Sequence, residues 1–158
     1  MFSFEGYRLH HYRSPTPKHS EHAETLDTAA LLTLLDMPQK PALLDVQPLP
    51  WSNVFIQKNE RRHIPGSIWL PNVGMGELEN DWSEYFQEHL KRATNGDKGY
   101  PIVLYCRADC WMSWNALKRA NEWGYTNLYW YRNGTDEWLQ LEQETSIAVP
   151  ESFPLQQK

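Results

Sequence analysis

The sequence holds two cysteines, Cys106 and Cys110, and both lie in one stretch, "YCRADCWMSWNALKRANEWGY", residues 105–125. The run "IVLYC" is apolar and β-branched, so it predicts a buried strand with Cys106 at its end. After a short loop, Met112, Ala116, Ala120 and Trp123 recur at helical spacing with Leu117 alongside, and Gly124 closes the helix. Amides at a helix N-terminus lack intrahelical partners, and the helix dipole adds partial positive charge there. A thiol above them is stabilised as thiolate, with a pKa below about 8.5. Arg107 would reinforce this and Asp109 would oppose it. Such a sulfur is a nucleophile: it accepts sulfane sulfur as a persulfide or attacks a disulfide. The alternative is a small buried side chain that merely ends a strand, a frequent role of free cysteine.

Other candidates are less specific. Asp45 stands near the end of a second buried run, "PALLDVQ", as an internal acceptor close to the loop. His63 opens "HIPGS", where it would either line the mouth of the site or, through a ring nitrogen, brace the Pro65–Gly66 turn. His10, His11, His19 and His22 cluster near the N-terminus without companion cysteines or regular helical spacing, so they read as solvated side chains and no metal site is expected. Two thiols without a fixed third ligand also make a poor soft-metal site.

These residues need elements to hold them. Residues 1–24 are rich in His, Pro and Ser and predict an extended arm. "TLDTAALLTLLDMP" predicts a helix capped by Thr25, with Asp27 in its first turn, an apolar stripe of Leu31, Leu34 and Leu35, and Pro38 beyond its end. "PLPWSNVFIQKNERR" predicts a loop or weak helix, and Ile68 to Leu70 a strand. "DWSEYFQEHLKRAT" predicts an amphipathic helix with Trp82, Tyr85, Phe86 and Leu90 on one side. "NLYWY" predicts another strand and "DEWLQLEQ" a last short helix. Strands alternating with helices imply an α/β fold with a mostly parallel sheet, in a body spanning 25–144, followed by a loosely ordered tail at 145–158. Ligand sites in such sheets lie outside the C-terminal ends of the strands, where Cys106 falls.

The totals narrow the function classes. A chain of 158 residues suits one domain with a real core. A net charge of −5 argues against nucleic acid or an anionic membrane as partner. No apolar run approaches the roughly 20 residues of a membrane span. "MFSFEGYRLHHYRSPTP" carries no secretory signal pattern, which fits a cytoplasmic protein or a mature exported one.

Four landmarks together resemble the rhodanese fold: "LLDVQ", "HIPGSIWLP", "VLYCRADCW" and the closing Gly-x-x-x-Trp of "NGTDEW". The resemblance implies a central parallel sheet flanked by helices, with Cys106 carrying a persulfide in a loop of Arg107, Ala108, Asp109, Cys110, Trp111 and Met112. It also shows departures. Thiosulfate-using members carry a loop resembling Cys-Arg-x-Gly-x-Arg, where this chain has Asp109 and Trp111. Gln47 replaces an arginine common after the first strand's aspartate. Met112 stands where related phosphatases place a phosphate-clamping arginine.

The run "CRADCWMSWNALKRA" with "GYTNLYWYRNGTDEW" and the early "GYRLHHYRSPTP" resembles a rhodanese-like subgroup named for a Cys-x-x-Cys-Trp motif. That subgroup is associated with pyrroloquinoline-quinone (PQQ)-dependent alcohol catabolism. The resemblance implies a periplasmic location and, as partners, a sulfur donor or thiol/disulfide substrate and a PQQ-dependent dehydrogenase or its cytochrome. It implies no cofactor of the chain's own. In an oxidising compartment Cys110 would resolve whatever Cys106 captures by closing a Cys106–Cys110 bridge, if the two Cα atoms come within about 7 Å. Two hypotheses follow: an exchange enzyme using this pair, or a non-catalytic rhodanese-like accessory module that binds the dehydrogenase system. Trp111 and Trp114 would serve either as a lip for a partner or as packing.

Overall fold

The computed structural model describes residues 2–154. Its centre is a five-stranded sheet, every pairing of which is parallel. The strands are β1 (Glu24–Leu26), β2 (Ala42–Asp45), β6 (Ile68–Trp69), β7 (Ile102–Tyr105) and β8 (Leu128–Tyr131), in the order β1-β8-β7-β2-β6. Four helices flank it: α1 (Thr28–Leu35), α2 (Asn80–Thr94), α3 (Trp111–Glu122) and α4 (Gly134–Gln140). This is the α/β architecture that the alternating pattern predicts.

Side-chain alternation along the strands sorts the core into two faces. Ile102, Leu104 and Cys106 join Tyr85, Phe86 and Leu90 of α2 and Met112, Ala116 and Leu117 of α3. Val103, Tyr105 and Tyr131 point the other way, against Leu31 of α1 and Trp138 of α4. The period of two therefore puts the Cys106 side chain on the face that α3 covers. After β2 the chain crosses to β6 on one side, then returns to β7 on the other, so β2 and β7 flank the reversal of strand order. Asp45 is in register with Tyr105 there, one residue before Cys106. That position is where open α/β sheets form their ligand crevices.

Several local expectations change. Thr25 lies in β1 rather than capping α1, and Asp27 is the cap, its carboxylate accepting the Ala30 N–H at 2.8 Å. Thr25 and Asp27 both belong to the N-cap residue types, and the pairing of residues 24–26 with β8 decides between them. The stretch read as a loop or weak helix forms a small hairpin, β3 (Trp51–Ser52) and β4 (Val54–Phe55), turning at Asn53 with φ 62°. Residues from 145, read as a loose tail, are packed as far as they are described. Here β9 (Ser146–Ile147) pairs antiparallel with β5 (Arg62–His63), Tyr85 donates to the Glu151 carbonyl, and Phe153 stacks on Trp82 at 3.6 Å. The last part of that tail, 155–158, lies outside the described residues. No helix among the described residues is long and apolar enough to cross a membrane.

Candidate active site

Cys106 follows β7, and Cys110 is the N-cap residue of α3. The sequence thus delivers one sulfur from a strand end and the other from a helix start, on the same face of the sheet. Their Cα atoms are 6.2 Å apart, inside the range a bridge requires, and the two form a disulfide. Both sulfurs are enclosed, the residues being 0% and 2% exposed.

The loop between them is held from three directions. From the β8–α4 side, the Cys106 carbonyl accepts the Thr135 N–H at 3.0 Å, and the Asp136 carboxylate accepts the Ala108 N–H at 3.0 Å. Gly134, at φ 57°, makes this approach possible, since a Cβ there would overlap the Cys106 carbonyl. From the segment after β6, Gly74 presses equally close on the Met112 backbone. Arg119 steadies that segment by donating to the carbonyls of Val73, Met75 and Gly76, and burial lowers its pKa to about 10.

The third direction is the N-terminal arm. The Tyr12 carbonyl accepts the Trp111 N–H at 2.8 Å, and Arg13 forms an antiparallel bridge with Cys110. The Asp109 carboxylate accepts the Thr16 N–H at 3.2 Å. Arg132, just beyond β8, donates to the carbonyls of Thr16 and Pro17. Further along, Arg8 lies over the Trp111 ring at 4.7 Å, and Phe2 meets both Trp111 and Trp114 edge-on. The arm, expected to be extended, turns at Gly6 and His11 and is laid across the cysteine loop. Nothing in its polar composition signals this; Tyr7 and Tyr12, two large rings among polar residues, are the available hint.

The charged residues of the loop are partnered. Arg107 faces Asp136 at 3.7 Å and Asp109 faces Arg132 at 3.6 Å, all four partly solvated. Asp109 has φ 50°, the left-handed conformation that glycine or a short polar residue adopts. Trp111 is buried under the arm, so it packs rather than standing open as a lip, and its indole N–H meets no acceptor among the described residues. Trp114 is half-buried beside it. Met112 is fully buried in the core.

Asp45 and His63 come together, one register pair from Cys106. Asp45 is completely buried and receives Arg61 through both guanidinium nitrogens, the His63 Nδ1 at 2.8 Å and the Gln47 N–H at 3.2 Å. Arg61, which sequence reasoning passed over, supplies the cation missing at Gln47 and lies on the Trp69 ring at 4.6 Å. His63 therefore binds Asp45 instead of bracing its own turn. That brace is Tyr105: its hydroxyl accepts the Ile64 N–H at 3.3 Å and meets Ser67 at 2.6 Å. Burial raises the Tyr105 pKa well above 10, which keeps the proton available for these contacts. His10, His11 and His19 are exposed, and no cluster of His, Cys, Asp or Glu suited to a metal ion occurs among the described residues.

The fold has solved counterparts. Thiosulfate sulfurtransferase from Pseudomonas aeruginosa matches with a TM-score of 0.56 at 15% identity, over 82% of this chain and 22% of that one. EanB in complex with hercynine matches at 0.56 and 20%, over 80% and 32%. The polysulfide-sulfur transferase homodimer from Wolinella succinogenes matches at 0.51 and 14%, over 79% of each chain. The chain thus spans about a fifth to a third of the length of the first two. No curated protein matches its sequence. The family model for the rhodanese-like domain matches residues 27–141, which takes in four of the five strands of the sheet (all but β1), all four helices and the bridged loop, and on that match the chain belongs to the rhodanese-like domain family.

Proposed function

We propose that this protein catalyses thiol–disulfide exchange, or sulfane-sulfur transfer completed by disulfide formation, with Cys106 as the nucleophile and Cys110 as the resolving thiol. The observation that supports this is the bridge itself, which joins a strand-end and a helix-start sulfur at the reversal of strand order. In the exchange direction an external thiolate attacks one sulfur, forms a mixed disulfide and releases the other as thiolate. A second thiolate then completes the two-electron reduction, leaving both cysteines reduced and the two external sulfurs joined. In the transfer direction the Cys106 thiolate takes the outer sulfur of a persulfide donor and releases the donor's thiolate. Cys110 then attacks the Cys106 sulfur, expels hydrosulfide and closes the bridge.

The loop's polar groups favour exchange over an anionic donor. The Ala108 N–H is already bonded to a carboxylate and the Trp111 N–H to a carbonyl, while Asp109 stands half-exposed at the loop. A thiosulfate dianion would meet carboxylates where it needs donors. The setting we propose is the periplasm, beside PQQ-dependent alcohol oxidation, and this part rests on the resemblance of the Cys106–Trp111 stretch alone, in which three residues separate the cysteines where the subgroup's motif has two.

The test compares wild type with Cys106→Ser in disulfide exchange and in cyanide-dependent thiocyanate release from several sulfane donors. Cys106-dependent exchange with little response to thiosulfate is expected; no Cys106-dependent turnover in any assay refutes the reading. The full enclosure of both sulfurs favours a second reading, a non-catalytic accessory module. It predicts that Cys106→Ser still captures the dehydrogenase or its cytochrome at micromolar concentration.

A further inference from the structure

The contacts between arm and cysteine loop have a shared character: the loop side holds the arm largely by its main chain. The Trp111 N–H takes the Tyr12 carbonyl, Cys110 bridges Arg13, Asp109 takes the Thr16 N–H, and Arg132 takes the Thr16 and Pro17 carbonyls. Main-chain recognition of an extended segment is indifferent to most of its side chains. Within the track the Thr16 hydroxyl also meets Asp109 and Arg132, and beside it Tyr12 packs on the core with its hydroxyl accepting the Gly76 N–H at 3.0 Å. Beneath the arm the Trp111 indole N–H, in a residue 6% exposed, has no acceptor among the described residues. A buried donor without an acceptor destabilises the closed state.

We propose that residues 12–17 are a displaceable strap occupying a groove for an extended, cysteine-bearing polypeptide, so that the substrate of the pair is a protein thiol or disulfide presented on an unfolded or loop segment. The inference rests on the exchange reading above. Covered, neither sulfur is open to in-line attack. When the strap leaves, Trp111, Asp109 and Arg132 offer the incoming main chain the same three N–H donors and one carboxylate acceptor that they gave the arm. This places its cysteine sulfur beside the bridge. The attacking thiolate forms a mixed disulfide with one cysteine and releases the other as thiolate. Reduction is completed by a second thiol of the same polypeptide, whose two cysteines end as a disulfide. No other reductant is required. The negative charge of Asp109 and the partly exposed Arg132 suit a neutral backbone carrying both donors and acceptors better than a small anion.

The experiment follows opening of the Cys106–Cys110 bridge by alkylation and mass measurement. The reductants are an unstructured peptide bearing two cysteines and a small dithiol of similar thiol pKa. Tyr12→Ala removes the strap's anchor without touching the groove. Loss of that packing and hydrogen bond should speed opening by both reductants roughly 5- to 30-fold. A synthetic peptide of residues 9–18 added in trans should slow the variant again. In the variant the two-cysteine peptide should also outpace the small dithiol. Should Tyr12→Ala not fold, Thr16→Pro gives the same reading, because it deletes the N–H bonded to Asp109 and the hydroxyl that meets Asp109 and Arg132, all of them strap contacts. Equal rates in wild type and variant, with the bridge opening readily in both, overturn the strap and leave the exchange reading standing. Bridges that resist every thiol in both proteins overturn the exchange reading, and the strap with it.

Discussion

Reducing the Cys106–Cys110 bridge should leave the protein folded and weaken it only slightly. A cross-link stabilises chiefly by restricting the unfolded chain, and the effect grows with the loop it closes. Here the cysteines are four positions apart, for which the chain-entropy relation gives about 2 kcal/mol. The native contacts at both ends of the loop do not depend on the bridge. The Cys106 carbonyl keeps the Thr135 N–H, the Ala108 N–H keeps Asp136, and the Trp111 N–H keeps the Tyr12 carbonyl. Two thiols in the same enclosed space behave as small apolar groups. For a chain of this size, about 2 kcal/mol lowers Tm by roughly 4–8 °C.

Urea unfolding followed by tryptophan fluorescence, with and without reductant, measures this. The double variant Cys106→Ser, Cys110→Ser serves as a control that reductant leaves unchanged. The midpoint should fall at nearly constant slope with urea concentration, the sign of a stability change within one two-state transition. Unfolding on reduction at 25 °C, or a loss above about 5 kcal/mol, would make the bridge a staple of the fold. An exchange cycle needs a stable reduced state, so that result would refute the reasoning.

Further outcomes are expected. Asp45→Asn should cost about 3–5 kcal/mol in the same titration, because it leaves the Arg61 guanidinium beside a buried site without its carboxylate; a loss below about 1 kcal/mol would deny the cluster its anchoring role. Gly134→Ala should cost clearly more than Gly96→Ala, since both have positive φ but only the Gly134 Cβ meets backbone; equal losses, near the roughly 1–2 kcal/mol of the left-handed conformation alone, would remove the close approach to Cys106 from the account. Burial holds the His89 pKa below 6.5, an effect that Arg92 assists and that Glu151 and Glu88 oppose, so below pH 6.5 the unfolded chain binds more protons there than the folded one. This contribution is fully present above pH 6.5. It fades as pH falls from 6.5 through the lower folded value, by at most about 1.4 kcal/mol per pH unit. The urea midpoint at pH 7.5 and 5.5 should show a smaller difference in His89→Gln than in wild type, and identical differences would contradict the assignment.

What could be read from the sequence was set by local periodicity. The strands β2, β7 and β8 and the helices α2 and α3 announce themselves because each has an apolar pattern that matches its own period. Cys106 could be placed at a strand end for the same reason. The missed elements are those whose structure is imposed from outside. β1 is three residues long and exists because β8 offers it an edge. β9 and the packing of Phe153 depend on β5 and α2, more than fifty residues away in sequence. Arg61 and Tyr105 escaped notice because neither belongs to a motif: one reaches Asp45 across 16 positions and the other braces a turn 38 positions back. Side chains that act across the fold leave no local spacing to detect.

The arm shows what this does to a functional reading. A loop that binds an anionic sulfur donor presents unoccupied amides and a cation, and its glycine lets the backbone approach. Here Asp109 takes the left-handed conformation and places a carboxylate at the loop. Asp136 occupies one amide and Tyr12 another. Both amides are filled by acceptors, and the Asp109 carboxylate is used by a main-chain N–H of the arm. On the strap proposal these contacts act together, as a track for a peptide chain with the two sulfurs at its end. If Asp109→Gly together with Asp136→Ala conferred thiosulfate turnover without loosening the arm, the two carboxylates would act as blockers of an anion site and not as parts of a peptide track.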